Sequence, residues 1–192
     1  MTGGHLALTP EIDDLRKQFE QLSADADALV APLTDVQFQW HPAEGAWSIA
    51  QCIDHLNVTA RMYLPRLDQG IADAIRRGLY GEGPFRYAPI GRWITRVQEP
   101  PARFRMKAPA SFHPAPDRPR ADIMAAFRAY QVQFIDRLRQ ANGLDLARAR
   151  VSSPTLSWLR FSLGSGFALT TAHERRHLWQ AHNVERHPEF PR

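Results

Sequence analysis

Apolar residues recur every three or four positions in four segments of the chain, which is the spacing of one face of an α-helix. The first segment follows Thr9, which is suited to be an N-cap, and Pro10, which suits the first helical position. Its apolar positions are Ile12, Leu15, Phe19, Leu22, Ala26, Leu29 and Leu33. This segment predicts a long first helix.

The second segment begins WSIAQCIDHL and predicts a helix with a well-defined start. Ser48 and Gln51 have the spacing of a capping box, and Trp47 with Cys52 would form the hydrophobic staple that sets the angle of entry. The apolar stripe continues past Pro65, which should kink the helix.

Prolines exclude a long helix from Tyr80 to Pro119, although RWITRV within this stretch suits a short helical or extended piece. Helical spacing returns in ADIMAAFRAYQVQFIDRLRQANG, which stops at Gly143. A last helix is predicted from about Leu163 to Arg186. Since no segment predicts a convincing strand, we expect one all-α domain over residues 1–192. The pattern predicts a four-helix bundle with a long proline-rich crossover between helices two and three.

Composition narrows the class of protein and the kinds of metal ligand. With 192 residues, 44% of them hydrophobic and 23% charged, the chain has the composition of an ordinary soluble protein. The sequence lacks an apolar run of membrane-spanning length and a signal-peptide profile at its start, so we expect a cytoplasmic protein without a membrane partner. Cys52 is the single cysteine, which excludes an intrachain disulfide and a thiolate-rich zinc site.

The positive charge raises a hypothesis of binding to nucleic acid or to another acidic partner. The net charge is +4, the basic side chains are nearly all arginine, and arginines alternate with aromatic residues in FRYAPIGRWITRVQEPPARFRMK. Arginines are, however, spread through every segment instead of forming one dense run, which favours a solvated surface over a phosphate-binding site.

The segment HERRH, from His173 to His177, matches the zinc-protease motif H-E-x-x-H. The spacing puts both imidazoles on one helical face, with Glu174 beside them as a candidate general base. The alternative is a pair that faces solvent or is hydrogen-bonded in the core. The metzincin form of the motif would require a third ligand where this chain has Asn183, which argues against a protease.

A third ligand from another helix is sterically easier, because bundles build metal sites from inward-facing side chains on facing helices. His55, about two turns inside the second helix, is the candidate, and its alternative is a lone buried histidine bonded to a neighbour. Gln180 follows His177 on the same face and is a candidate to touch a ligand or to orient a histidine. The remaining histidines are expected at the surface: His5, His41, His113, His182 and His187.

Two segments, WHPAEGAWSIAQCIDHL and AHERRHLWQAHNV, resemble the DinB/YfiT-like superfamily, and in particular its DinB-like branch. The order of elements, including the proline-rich crossover, is similar over nearly the whole chain. The resemblance implies a four-helix bundle that holds a divalent metal ion through His55, His173 and His177. Members of the family include thiol S-transferases and thiol-dependent isomerases, and they are often dimers.

Three neutral imidazoles would leave a bound ion its full charge and open coordination positions, which is typical of a catalytic site. Activated water would give hydrolysis, and an activated low-molecular-weight thiol cosubstrate would give S-transfer. We therefore expect a metal-dependent enzyme of one of these types acting on a small molecule, with zinc, nickel or iron(II). Its alternative is a non-catalytic binding bundle or homodimer, with Trp158, Leu159 and Phe161 as candidates for a core layer or an interface.

Overall fold

The four predicted long helices are present in the computed structural model, which describes residues 7–101, 108–156 and 158–192. They are α1 (Pro10–Val30), α3 (Ile49–Arg76), α5 (Arg120–Ala141) and α6 (Leu163–Glu185). Shorter elements lie between them: α2 (Asp35–Gln39), α4 (Pro89–Gln98) and a 3₁₀ turn (Ala110–Phe112). The prediction of an all-α bundle is confirmed.

Local sequence accounts for the starts of these helices. Pro10 lies in the first turn of α1, directly after the N-cap Thr9. At the start of α3 the capping box forms as predicted: the Gln51 backbone N–H donates to Ser48 Oγ at 3.2 Å, and the Ser48 N–H donates to Gln51 Oε1 at 3.3 Å. Pro65 lies inside α3 without ending it. The capping box fixes where α3 begins and therefore the height of each of its side chains in the bundle.

Helices α3 and α5 run parallel to each other. Asn57 of α3 donates to the backbone carbonyl of Ile123 near the start of α5, and Asp68 pairs with Arg137 further along both helices. Because two consecutive long helices that run in the same direction cannot be joined by a short turn, the chain must return along the bundle between them. The stretch between the two helices is called the crossover below, and the structure describes its residues 77–101 and 108–119.

Helices α1 and α6 run in the opposite direction to α3 and α5. Thr9 at the start of α1 bonds to Asn142 after the end of α5, whereas Asp27 near the end of α1 pairs with Arg128 of α5. Around the bundle the order is α1, α5, α3 and α6, and each helix packs against its two neighbours. Helix α6 therefore lies directly against α3.

The crossover contains the helix α4, which includes the RWITRV stretch and settles its conformation as helical. Helix α4 packs on the outside of α6. Arg175 of α6 donates to both carboxylate oxygens of Glu99, at 2.9 and 2.5 Å, and Arg176 donates to the carbonyl of Val97. The first part of the crossover is thus fixed to the helix that carries the histidine pair.

A short hairpin corrects the prediction that the chain contains no strand. Strand β1 (Arg150–Ser152) pairs antiparallel with β2 (Arg160–Ser162), with Val151 opposite Phe161. Both of these residues are buried in the core. The strands have three residues each, which is too short for an alternating pattern to be recognised. Of the residues expected in a core layer or an interface, Phe161 is buried, Leu159 is half-buried against the core, and Trp158 is 76% exposed.

The apolar core consists of two clusters with a polar pair between them. One cluster includes Phe134 and Phe167, and the other includes Phe127 and Leu178. Between these positions along the chain, α5 carries buried Gln131 and α6 carries buried Glu174. No helix in the described ranges has both the length and the apolar character needed to cross a membrane.

At Gly70, α3 passes so close to the hairpin that we expect no larger residue to fit without strain. A Cβ atom built on Gly70 would lie 2.7 Å from the backbone carbonyl oxygen of Arg150, a contact that no side-chain rotation can relieve. Replacing glycine by alanine inside a helix normally stabilises it. We expect Gly70→Ala instead to lower the free energy of unfolding by about 1 to 3 kcal/mol, measured by urea denaturation. The neighbouring exposed Gln69→Ala is the control, and an equal or stabilising effect of Gly70→Ala would show that the contact is not tight.

Candidate metal centre

The structure brings three histidines from two helices together. His173 and His177 lie one turn apart on α6, and His55 lies on the facing side of α3. One ring nitrogen from each lies within 4.8 Å of the others, and the Nε2 atoms of His55 and His173 are 3.4 Å apart. The ring centroids are separated by 4.4 to 5.2 Å. The sequence-based candidates from distant parts of the chain thus meet at one point.

The crossover determines which nitrogen of His55 faces this cluster. Nδ1 of His55 lies 2.7 Å from the backbone carbonyl oxygen of Phe112 in the 3₁₀ turn. A carbonyl oxygen can only accept, so Nδ1 carries the proton and Nε2 keeps its lone pair. That lone pair is directed at the other two histidines. The sequence did not reveal this contact, because a backbone carbonyl has no residue-type signature.

Trp47 covers one side of the cluster. Its ring centroid lies 4.8 Å from that of His55 and 5.8 Å from that of His177. Trp47 was predicted to form a staple with Cys52, and it does pack against the core cluster that contains the fully buried Cys52. The position of Trp47, directly before the capping box that starts α3, is the signal that could have placed it near His55.

Burial keeps the three imidazoles uncharged. Desolvation lowers the pKa of His173 to about 3, with smaller contributions from His55 and Arg176. Desolvation likewise lowers the pKa of His177 well below its usual range, and that of His55 is lowered although its bond to Phe112 opposes the shift. All three rings are therefore neutral at pH 7, which is the form that binds metal.

Two nitrogens of the cluster are buried without a protein partner. Nδ1 of His173 and Nδ1 of His177 have no hydrogen-bond partner among the described residues. The Gln180 side chain lies close enough to the His177 ring to offset part of the fall in the pKa of that ring. The role of Gln180 in orienting a histidine stays a prediction.

Glu174 does not extend toward the same helix as its neighbouring histidines. Its carboxyl group is buried and is bonded to Gln131 of α5, whereas His173 and His177 face His55 of α3. Desolvation raises the pKa of Glu174 to about 8, and the bond to Gln131 opposes this shift. The general-base role that H-E-x-x-H would give this residue finds no support in this position. The third ligand of the metzincin motif is also missing, because Asn183 at that position is exposed and takes no part in the cluster.

The remaining histidines stay apart from the cluster. His41, His182 and His187 have local contacts, with the Ala46 carbonyl, with Glu185 and with the Trp40 ring respectively. His5 lies outside the described residues. His113 is exposed as expected. It is nevertheless close enough to His55 to lower the pKa of that residue, and its ring lies 6.2 Å from that of Trp47.

The fold and the site together define a four-helix bundle with a buried three-histidine cluster between two of its helices. Comparison with known sequences gives the family: the model of the DinB superfamily matches residues 18–181, and the chain belongs to this superfamily. A search of curated proteins found no match.

A solved structure has the same fold. It is described as "YfiT from Bacillus subtilis is a probable metal-dependent hydrolase with an unusual four-helix bundle topology". The two chains are 15% identical, with a TM-score of 0.60 over 94% of this chain and 89% of the other. This likeness confirms the four-helix bundle.

The buried Glu174 should make stability depend on pH. Its folded pKa of about 8 lies above the ordinary glutamate pKa of 4.5, so between these pH values the unfolded chain releases a proton that the folded chain keeps. The contribution of Glu174 to stability must therefore fall as pH rises through this window, by at most about 1.4 kcal/mol per pH unit. Glu174→Gln removes the titration and keeps an amide that can bond to Gln131. We expect the variant to lose this part of the pH dependence in urea unfolding of the metal-free protein.

The exposed Glu189→Gln variant controls for the loss of one negative charge. The three histidines also make stability depend on pH, up to about pH 6.5, but they are present in both proteins, so their contribution cancels in the comparison. Parallel pH profiles for wild type and Glu174→Gln would contradict a raised pKa at this position.

Proposed function

We propose that His55, His173 and His177 bind one divalent metal ion and that the centre hydrolyses a small-molecule substrate. The observation that carries this proposal is the meeting of three neutral imidazoles from α3 and α6, with their ligand atoms within 4.8 Å of one another. Glutamate and aspartate are not part of the cluster among the described residues. An ion there would keep its full charge, which favours catalysis.

The spacing of the nitrogens supports binding of a single ion. With zinc–nitrogen bonds of 2.0 to 2.1 Å, a tetrahedral site separates its ligand nitrogens by about 3.3 Å. The Nε2 atoms of His55 and His173 are 3.4 Å apart. Two uncharged imidazole lone pairs at this distance repel each other unless a proton or a cation lies between them. A divalent cation removes this repulsion for all three rings at once.

A bound ion would supply Lewis-acid activation, which lowers the pKa of water or of a thiol. The protein's own residues would provide orientation and exclusion of solvent. The Phe112 carbonyl would hold the His55 ring in one tautomer, and the nearby Gln180 side chain would orient the His177 ring. Trp47 closes one side of the cluster, so substrate must approach from another direction.

Hydrolysis is preferred over thiol transfer because the YfiT structure, which shares this fold, is described as that of a probable metal-dependent hydrolase. Both reactions would use the same three ligands. Zinc, nickel and iron(II) all accept imidazole nitrogens, and the general order of metal affinities does not select among them.

Metal content tests the ligand set directly. We expect wild-type protein purified without a nickel column to contain about one divalent ion per chain, measured by elemental analysis. His55→Ala and His173→Ala should each lose most of this metal, with an affinity loss exceeding the roughly 10- to 100-fold caused by removing an outer-shell partner. His182→Ala is the matched control, because this histidine is on α6 but pairs with Glu185. Equal metal content in all four proteins would remove the proposal.

The reaction class requires a separate assay. We expect the metal-loaded protein to hydrolyse at least one member of a panel of simple esters and amides, and His173→Ala to lose at least about 100-fold in kcat/KM. A parallel panel pairs glutathione-like thiols with an electrophile. Turnover of the second panel alone would replace hydrolysis by thiol transfer while leaving the metal site in place.

A further inference from the structure

Asp54, the residue before His55, is a buried carboxylate whose partners lie mostly on the crossover. Its side chain is 2% exposed. Arg118 donates to Oδ1 at 2.5 Å, and the backbone N–H of Ala115 donates to Oδ2 at 3.3 Å. Asn57, one turn along α3, also donates to Oδ1 at 3.3 Å. Both oxygens of Asp54 are therefore used to hold the end of the crossover against α3.

Prolines limit the backbone hydrogen bonds that this end of the crossover can donate. Pro114 and Pro116 flank Ala115, so the Ala115 N–H is the one backbone donor among these three residues. That donor is directed at Asp54. Three residues earlier, Phe112 presents its carbonyl to His55 at 2.7 Å. Two consecutive residues of α3 thus bind two nearby points of the same segment.

The Arg118 side chain makes the second contact between the crossover and Asp54. The Arg118 side chain is 36% exposed. Its backbone carbonyl accepts a hydrogen bond of 2.9 Å from the side chain of Gln39, the last residue of α2. The arginine is therefore held from both its backbone and its side chain. Fixing Arg118 and Ala115 leaves the Phe112 carbonyl little freedom to move relative to α3.

We propose that Asp54 is a positioning residue for the metal centre: through Arg118 and the Ala115 amide it holds the Phe112 carbonyl on His55 Nδ1. It therefore keeps Nε2 directed at the other two histidines. This inference rests on the proposed metal site for its functional meaning. Asp54 acts without touching the ion, and its effect reaches His55 through the crossover backbone.

The first test measures the His55 ring in the metal-free protein. Long-range proton–nitrogen NMR distinguishes the two neutral tautomers of a histidine. We expect wild-type His55 to carry its proton on Nδ1, as its bond to the Phe112 carbonyl requires. In Asp54→Asn, which keeps the size of the side chain and loses its charge, we expect a mixture of tautomers. A His55 ring unchanged from wild type would overturn the inference.

The second test measures the affinity for zinc by competition with a chromophoric chelator. We expect Asp54→Asn to bind zinc about 10- to 100-fold more weakly, the range found when an outer partner of a ligating histidine is removed. The cobalt-substituted variant should also show an altered visible absorption spectrum. Unchanged affinity in a protein whose wild type does bind zinc would overturn the inference.

Two further variants separate positioning from general loss of stability. Arg118→Gln breaks the same ion pair from its more exposed side, so it should reproduce both effects if Asp54→Asn folds poorly. Asp68→Asn breaks a different Asp–Arg contact of α3, whose partner Arg137 is on α5 instead of the crossover. It should leave the His55 tautomer and the zinc affinity unchanged. If both Asp variants changed the tautomer equally, Asp54 would have no special role.

If wild type binds no divalent ion, the proposed function fails, and the NMR comparison still decides whether Asp54 orients His55. If wild type binds zinc and Asp54→Asn binds it equally well, the proposed function stands and the positioning role fails. The two ideas can therefore be rejected independently.

Discussion

Withdrawal of three neighbouring imidazoles from water is the constraint on which the rest of the structure depends. Each ring has two nitrogens that would be hydrated in the unfolded chain, and in the bundle these atoms must find other partners. His55 uses the Phe112 carbonyl on one side, and its remaining nitrogen faces His173. Burial also suppresses protonation, so the cluster is uncharged where exposed histidines would be partly cationic. A site of this kind gathers uncharged nitrogen lone pairs in one buried place, and a cation is a partner that can satisfy them together.

The direction of the helices explains why a long connecting segment takes part in the site. Helices α3 and α5 run parallel, so the chain must travel the length of the bundle between them. That return passes along the outside of α6 as α4 and then reaches the start of α3. The crossover is attached at both places, by Glu99 to Arg175 and by Arg118 to Asp54. A segment required by topology thus also covers both helices that carry the histidines.

The long helices and their approximate limits could be predicted because each repeats an amphipathic pattern over five or more turns. The start of α3 was predictable from two residues, Ser48 and Gln51, since a capping box acts locally. The hairpin was missed because three-residue strands contain too few alternations, and its buried Val151 resembles any short apolar stretch. Local signals were sufficient where local interactions determine the structure.

The three histidines could be selected from helical spacing and from family resemblance, but their surroundings could not. The contact of Phe112 with His55 uses a backbone atom, which every residue possesses. Glu174 of α6 reaches Gln131 of α5 across the centre of the bundle, and this orientation follows from the packing of all four helices. Spacing in the sequence can therefore identify candidate ligands. The tautomer of each histidine, its exposure to solvent and its outer contacts can be read only from the folded structure.

The cluster is divided between the second long helix and the last one, and this division has a consequence during protein synthesis. A ribosome that has completed α3 has produced only one of the three imidazoles, and more than a hundred further residues separate His55 from His173. The three imidazoles therefore cannot meet in a nascent chain before α6 has emerged from the exit tunnel and docked. An ion that needs all three of them, as proposed above, would bind only after this step.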